Sequence, residues 1–216
     1  MEIIMRRKSG EKVTNFILPA LAGGTFELDS FRGKRFMLSF LRFASCPFCN
    51  LRVHELATRF NEFGEGFTIV AILNSSLENL RKHADKHHPP FPILADERNA
   101  FYRVYGIEHS VAGMLNGMLG RMPSLLRAMF VNGYWPWVIK GSLITMPADF
   151  LVDENGVIKT AYYGKDEGDH LPFEQVKAFS IFSSAGHPCG VHPLADDRRR
   201  LLHQIRGGRA NRNAGG

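Results

Sequence analysis

The stretch Phe36-Met37-Leu38-Ser39-Phe40-Leu41-Arg42-Phe43-Ala44-Ser45-Cys46-Pro47-Phe48-Cys49 decides how this chain of 216 residues is read. Phe36 to Leu41 is an apolar run of strand length, and two thiols three positions apart follow it directly. Beyond them Cys49, Val53, Leu56, Phe60 and Phe63 recur at alternating steps of four and three, the stripe of a helix facing a core. Arg52, Glu55, Arg59 and Glu62 are expected on the solvent side, with Glu55 and Arg59 in the favourable i,i+4 order. Cys46 therefore sits at the helix start, where unpaired N–H groups and the helix dipole favour a thiolate. The pattern predicts an exposed, attacking Cys46 and a shielded Cys49 that resolves the intermediate.

Two other readings of the pair stand beside this one. A structural zinc site needs four ligands, and only Cys189, within His187-Pro188-Cys189-Gly190-Val191-His192, has the composition to complete one. The pair would alternatively be two core cysteines without chemistry. A closely spaced pair among three cysteines does not fit a secreted disulfide framework; it points to redox or metal chemistry in a reducing compartment, by default the cytoplasm. The redox reading needs no metal and no cofactor, because sulfur carries the chemistry.

Charge placement bears on partners. Six arginines face only Asp196 and Asp197 in residues 183–216, so +4 of the net +6 lies in that tail. The body is nearly neutral and lacks the basic stripe that nucleic-acid binding requires. The tail, ending Asn213-Ala214-Gly215-Gly216, reads as flexible and disordered. No segment has the apolar length of a membrane span or of a secretory signal.

Along the chain, Gly23 to Leu28 reads as a turn into a short strand, and Phe31-Arg32-Gly33-Lys34 as the turn before the next. Phe67 to Leu73 is a second β-branched apolar run, so strand, helix and strand form a parallel βαβ unit. Ser75 and Glu78 have capping-box spacing for a helix to about Lys86, before Pro89-Pro90. His83, His87 and His88 cluster at that helix end, where cations complement its dipole. Phe91 to Leu94 is a short strand, and Arg98 to Tyr105 a helix closed by Gly106. Glu154-Asn155-Gly156 joins strands Asp149–Asp153 and Val157–Tyr163 in a hairpin, and Pro172 to Phe182 is the last helix.

This order, with a dithiol opening the first crossover helix, resembles the thioredoxin fold, an α/β architecture with a central mixed sheet flanked by helices. The resemblance implies a cis-proline against the dithiol, and Met146-Pro147 holds the corresponding place. More closely, Val13 to Asn50, Phe91 to Gly106 and Met146 to Phe182 resemble the alkyl hydroperoxide reductase and thiol-specific antioxidant (AhpC/TSA) family, the peroxiredoxins and their redoxin relatives. The carrying residues are Asn15-Phe16-Ile17-Leu18-Pro19, Gly33-Lys34, the stretch Phe40 to Cys49, and Phe150-Leu151-Val152-Asp153-Glu154-Asn155-Gly156.

That resemblance implies a thiol-dependent oxidoreductase of peroxides or disulfides, with Cys46 attacking, Cys49 resolving and an external thioredoxin- or glutathione-type reductant. Arg42, Ser45, Pro47, Met146 and Pro147 would line the substrate position. One departure is clear: the family's hydroxyl residue three places before the attacking cysteine is Phe43 here, while Cys-Pro-Phe-Cys is close to disulfide-exchange sites. The rival to an enzyme is a non-catalytic redox sensor or metal-binding module using the same thiols.

The expected redoxin domain spans residues 10–182, with a Met-rich helical insertion over 108–140 and the tail over 183–216. In the insertion, positions 115, 118, 119, 122, 126 and 129 share a helical face. A lid packing that face on the domain is the preferred reading. A homodimer surface, a hydrophobic-partner site or a membrane-surface helix are the alternatives.

Overall fold

The computed structural model describes residues 5–83, 89–107, 120–134 and 145–181. Strands β1 (Ile17–Pro19) and β2 (Thr25–Glu27) form a small antiparallel pair. The main sheet has the order β5-β4-β3-β6-β7, with β3 (Phe36–Phe40) at its centre. β3 runs parallel to β4 (Thr68–Leu73), which runs parallel to β5 (Ile93–Ala95). On the other side β3 pairs antiparallel with β6 (Ala148–Val152), and β6 with β7 (Ile158–Tyr163). The expected mixed sheet and its hairpin are both present, and Gly156 closes the hairpin turn at φ +73°.

Because β3 and β4 are covered on both faces, every residue of each is buried and their sequences are apolar apart from Ser39 and Thr68 rather than alternating. Phe36, Leu38 and Phe40 face one interior together with Val70, Ile72, Phe150, Tyr102 and Tyr105. Met37 and Leu41 face the other, with Ile69, Leu151, Val53, Leu56, Phe173, Val176 and both cysteines. Helix α1 (Pro47–Thr58) and helix α5 (Phe173–Ile181) contribute to this second interior, while α3 (Ala100–Val104) contributes Tyr102 to the first.

The capping signals are partly displaced. Helix α2 (Leu77–His83) starts after Ser76, whose Oγ accepts the Asn79 N–H at 3.3 Å, one residue later than the Ser75 expected. Ser75 Oγ instead accepts from the Ala44 N–H at 3.1 Å and from Asn79 Nδ2 at 3.1 Å, tying this helix to the loop before Cys46. The expected end of α2, with His87 and His88, lies outside the described residues. At α3 the Asp96 carboxylate caps the Ala100 and Phe101 N–H groups, and Gly106 at φ +66° ends the turn.

Helix α1 departs from its expected wheel in two respects. It stops at Thr58, and a separate 3-10 turn over Phe60–Glu62 carries Phe63 into the core, 5.0 Å from the ring of Phe173. Arg52 is buried rather than solvent-facing, because the chain before α5 passes over that flank of α1 and its Leu171 carbonyl accepts Arg52 Nη2 at 2.7 Å. Glu55 consequently pairs with Arg52, and Arg59 with Glu62 and Glu174, in place of the Glu55–Arg59 pair.

Only residues 120–134 of the expected insertion are described. Helix α4 (Met122–Leu126) continues into a π-type turn over Arg127–Val131, and both pack on α1. Leu125, Ala128 and Tyr134 face inward, whereas Met122 and Leu126 are exposed, so the buried face is rotated from the one expected. Beyond Leu126 the Asn132 N–H reaches back five residues to the Arg127 carbonyl, a widened turn that departs from the 3.6-residue period. Among the described residues, no helix is long and apolar enough to cross a membrane.

Candidate active site

The chain leaves β3 at Phe40, and Leu41 continues the ladder by donating its N–H to the Ile72 carbonyl. The buried Tyr102 hydroxyl bonds the Leu41 carbonyl and, at 3.0 Å, that of Ile72, locking the exit direction. The Arg42 carbonyl accepts the Asn74 N–H at 3.0 Å. A turn then brings the Cys46 N–H onto the Phe43 carbonyl at 3.0 Å, and Pro47 occupies the first turn of α1, where no N–H is needed. Asn50 reaches back with Nδ2 to the carbonyls of Ala44 at 2.9 Å and Cys46 at 2.8 Å, fixing the turn from inside the helix.

Both thiols are free and buried, Cys46 at 0% and Cys49 at 1% relative exposure, so the expectation of an exposed Cys46 is corrected. At the same helix start the loop at Gly168 closes on Phe48: a Cβ built on Gly168 would lie 3.2 Å from Phe48 Cδ1 and 2.9 Å from Arg121 Cδ. The asymmetry between the thiols is electrostatic instead of steric. Burial opposes ionisation of Cys46, but a hydrogen bond from Cys49, the charge of Arg42 and the N–H groups of Cys49 and Phe48 outweigh it, lowering its pKa from 9.0 to about 7. Cys49 is pushed the other way by burial and by its bond to Cys46.

Arg42 is the charged group at the pair. Its Nη1 lies 3.7 Å from Cys46 Sγ, its backbone N–H lies 3.2 Å from Cys49 Sγ, and its guanidinium stands 5.4 Å over the ring of Phe43. Phe43 is therefore a buried platform for Arg42, which explains what a phenyl ring does at a position where the family carries a hydroxyl. Ser45 and Pro47 are buried within the same turn.

Thr145, the residue before Met146 and Pro147, holds its Oγ1 3.5 Å from Asn74 Nδ2, and Pro147 itself packs beside Gly164. The Met146–Pro147 bond is trans, correcting the expected cis geometry. Trans is the intrinsic preference by about 0.5–1 kcal/mol. The Pro147 carbonyl accepts the Gly164 N–H at 2.9 Å and extends the β6–β7 ladder by one bond. A side chain at Gly164 would press on Pro147, its Cβ 2.8 Å from Cγ.

Beneath α1, Asp149 is fully buried and accepts from Ser39 Oγ at 2.5 Å and the Leu171 N–H at 2.9 Å, with His170 Nδ1 at 3.2 Å and Arg52 Nη2 at 4.0 Å. Its pKa falls from 3.8 to about 2: burial opposes this, but His170, Arg52 and Ser39 stabilise the carboxylate. Asp149, His170, Asn50, Asn74 and Glu167 were not singled out as site residues from sequence; polar residues inside otherwise apolar strand and helix patterns, Ser39 and Asp149 above all, are the signal that marks them. Among the described residues, no three His, Cys, Asp or Glu side chains gather as a metal-ligand set. Cys189 and its flanking histidines lie outside the described residues.

Comparison with known proteins agrees with this geometry. ResA, a thiol-disulfide oxidoreductase of Halalkalibacterium halodurans, is 29% identical over 102 residues, 46% of this chain and 57% of that protein. The chloroplastic peroxiredoxin Q of Populus jackii is 25% identical over 116 residues, 53% of this chain and 54% of that one. The chain thus spans little more than half the length of these two relatives. Among solved structures, thiol peroxidase from Chromobacterium violaceum superposes with a TM-score of 0.56 at 16% identity, covering 81% of this chain and 86% of the other. Peroxidoxin BcpB from Mycobacterium tuberculosis gives 0.53 at 16% identity, covering 94% and 99%; both likenesses are of fold. The AhpC/TSA family model matches residues 9–161, more than half of the chain, and with the dithiol turn at the head of α1 the chain belongs to the AhpC/TSA family.

Proposed function

We propose that the protein is a thiol-dependent oxidoreductase that reduces peroxides or disulfides through a Cys46–Cys49 dithiol/disulfide cycle. The observation that carries this reading is the opposed ionisation of two adjacent thiols, with Cys46 lowered to about 7 beside Arg42 and Cys49 raised. A nucleophile and a protonated resolving thiol are what the two half-reactions require.

With a disulfide substrate, the Cys46 thiolate attacks one sulfur and expels the other as a thiolate, giving a mixed disulfide. Cys49 then loses its proton, attacks Cys46 Sγ and releases the second substrate thiol. With a peroxide, the thiolate attacks the terminal oxygen, the O–O bond breaks, and a proton converts the leaving alkoxide to an alcohol; Cys49 displaces water from the resulting sulfenic acid. In both cases an external thioredoxin- or glutathione-type reductant restores the dithiol. Phe43 favours disulfide exchange, since its ring has no hydrogen bond to donate to a peroxide. Arg42, Ser45, Pro47, Met146 and Pro147 line the substrate position in this reading. The redoxin body covers residues 10–182, and the compartment is the reducing cytoplasm.

A single-turnover experiment tests the proposal. Reduced protein is mixed with hydrogen peroxide or a small disulfide, thiol loss is followed by intact mass, and thioredoxin or glutathione is then added. Expected is loss of two hydrogens per chain followed by repeated cycling, with no turnover in Cys46→Ser and, in Cys49→Ser, a trapped mixed disulfide with the disulfide substrate or a sulfenic acid with peroxide. Undiminished turnover in Cys46→Ser would overturn it.

A further inference from the structure

The backbone of Arg42 is fixed on both sides. Its N–H points at Cys49 Sγ at 3.2 Å, its carbonyl accepts the Asn74 N–H at 3.0 Å, and the Leu41 carbonyl just before it is held by the Tyr102 hydroxyl. A fixed backbone does not fix the guanidinium. Several rotatable bonds separate the two, and a long arginine side chain gives up rotamer freedom when its head is held in one place. What the head meets therefore decides where the charge stands.

It meets the next residue in the chain. The guanidinium lies 5.4 Å from the centroid of the Phe43 ring and holds Nη1 3.7 Å from Cys46 Sγ, with Arg42 4% and Phe43 2% exposed. A desolvated cation is drawn to an aromatic face more strongly than an exposed one. The ring is firmly supported in turn. The Phe43 carbonyl accepts the Cys46 N–H at 3.0 Å, the following Ala44 N–H bonds Ser75 Oγ at 3.1 Å, and the ring belongs to the same buried cluster as both cysteines. An aliphatic side chain at this place would fill space without attracting the charge.

We infer that Phe43 is a positioning residue for the dithiol: the face of its buried ring holds the Arg42 guanidinium at Cys46 Sγ, so that the ring sets how much thiolate Cys46 keeps. It acts through Arg42, whose charge favours the ionised sulfur in an interior where charge is weakly screened. The other charged and titratable groups at this place are Cys49 on α1, Tyr102 on α3 with Asp96 before it, and Glu167 with Asp166 and Arg121 at the loop between β7 and α5. All of them are retained when Phe43 alone is changed. The role rests on the reading of Cys46 as the nucleophile.

The test is the pH dependence of Cys46 alkylation by iodoacetamide in the reduced full chain, located by mass, from pH 5 to 9. Phe43→Leu is expected to move the midpoint up by about half a unit, a fall of roughly threefold in rate on the acid limb. In an Arg42→Met background, whose own midpoint is expected to lie higher, the same substitution leaves the midpoint unmoved. Phe43→Tyr, which keeps the ring face, stays near the wild-type midpoint. Phe43→Met is expected to give the same rise as Phe43→Leu and replaces it if that variant does not fold. A purely structural ring would cost stability in every background and leave the midpoints where they were. An unmoved midpoint in both ringless variants, an equal rise with and without Arg42, or a rise in Phe43→Tyr as large as that in Phe43→Leu would overturn the inference. Failure of the nucleophile reading has a different signature, absence of alkylation at Cys46 in the wild type.

Discussion

On one face of the central sheet, Phe40 packs 4.9 Å from Tyr105 and 5.1 Å from Tyr102, and Phe150 adds a third ring 5.2 Å from Tyr105, in an interior almost wholly aromatic and aliphatic. On the opposite face the same strands seal Ser39, Arg52 and Asp149 under α1, with both thiols at its head. Both faces are equally dry, yet only the second spends hydrogen bonds on keeping charge inside. The contrast separates two duties: the aromatic face supplies burial energy, and the α1 face holds the ionisable groups that set sulfur reactivity. Tyr102 links them, since its hydroxyl reaches from the aromatic side to the Leu41 and Ile72 carbonyls.

The contrast can be strained by substitutions on either side. Phe150→Ala removes a fully buried ring from the aromatic face and is expected to lower unfolding free energy by about 3–5 kcal/mol in denaturant titration, while Cys46 keeps its alkylation midpoint. A midpoint that moved with it would show that the two faces are not separate.

Acid is the second probe, because Asp149 has a folded pKa depressed from 3.8 to about 2. A depressed carboxylate stabilises the fold above the unfolded value, and that contribution is lost as pH falls through the folded one. Denaturant unfolding between pH 5 and pH 2 is expected to lose about 2 kcal/mol from this group, a loss missing from Asp149→Asn. An unchanged acid limb in that variant would assign the sensitivity elsewhere.

The smallest expected effect on stability comes from Arg121→Ala, which breaks a half-exposed ion pair to Asp166 and is expected to cost under about 1 kcal/mol. Its effect on Cys46 should be larger in proportion, severalfold faster alkylation at pH 7, because Arg121 and Gly168 close over Phe48. Equal rates in variant and wild type would mean that this contact does not limit access.

The apolar framework was legible in the sequence, because apolar periodicity reports burial directly: β3, β4 and the hairpin, and on the α1 face the stripe Val53, Leu56, Phe63, fall where their patterns put them. The dithiol turn was legible as well, since helix-start chemistry is local. What escaped was set by tertiary neighbours. Arg52 is charged and reads as surface until the Leu171 carbonyl and Asp149 arrive from the far end of the chain. Cys46 reads as a tip and is fully buried, and its neighbour Phe48 is approached by the loop at Gly168 from the far end of the chain.

The separation of roles between the two thiols is tested most directly by alkylating the reduced protein across pH 5 to 9 and reading Cys46 and Cys49 separately by mass. Expected is half-maximal reaction of Cys46 near pH 7, with Cys49 unreactive until well above pH 9. Two cysteines titrating together near pH 9, or Cys49 reacting first, would contradict it.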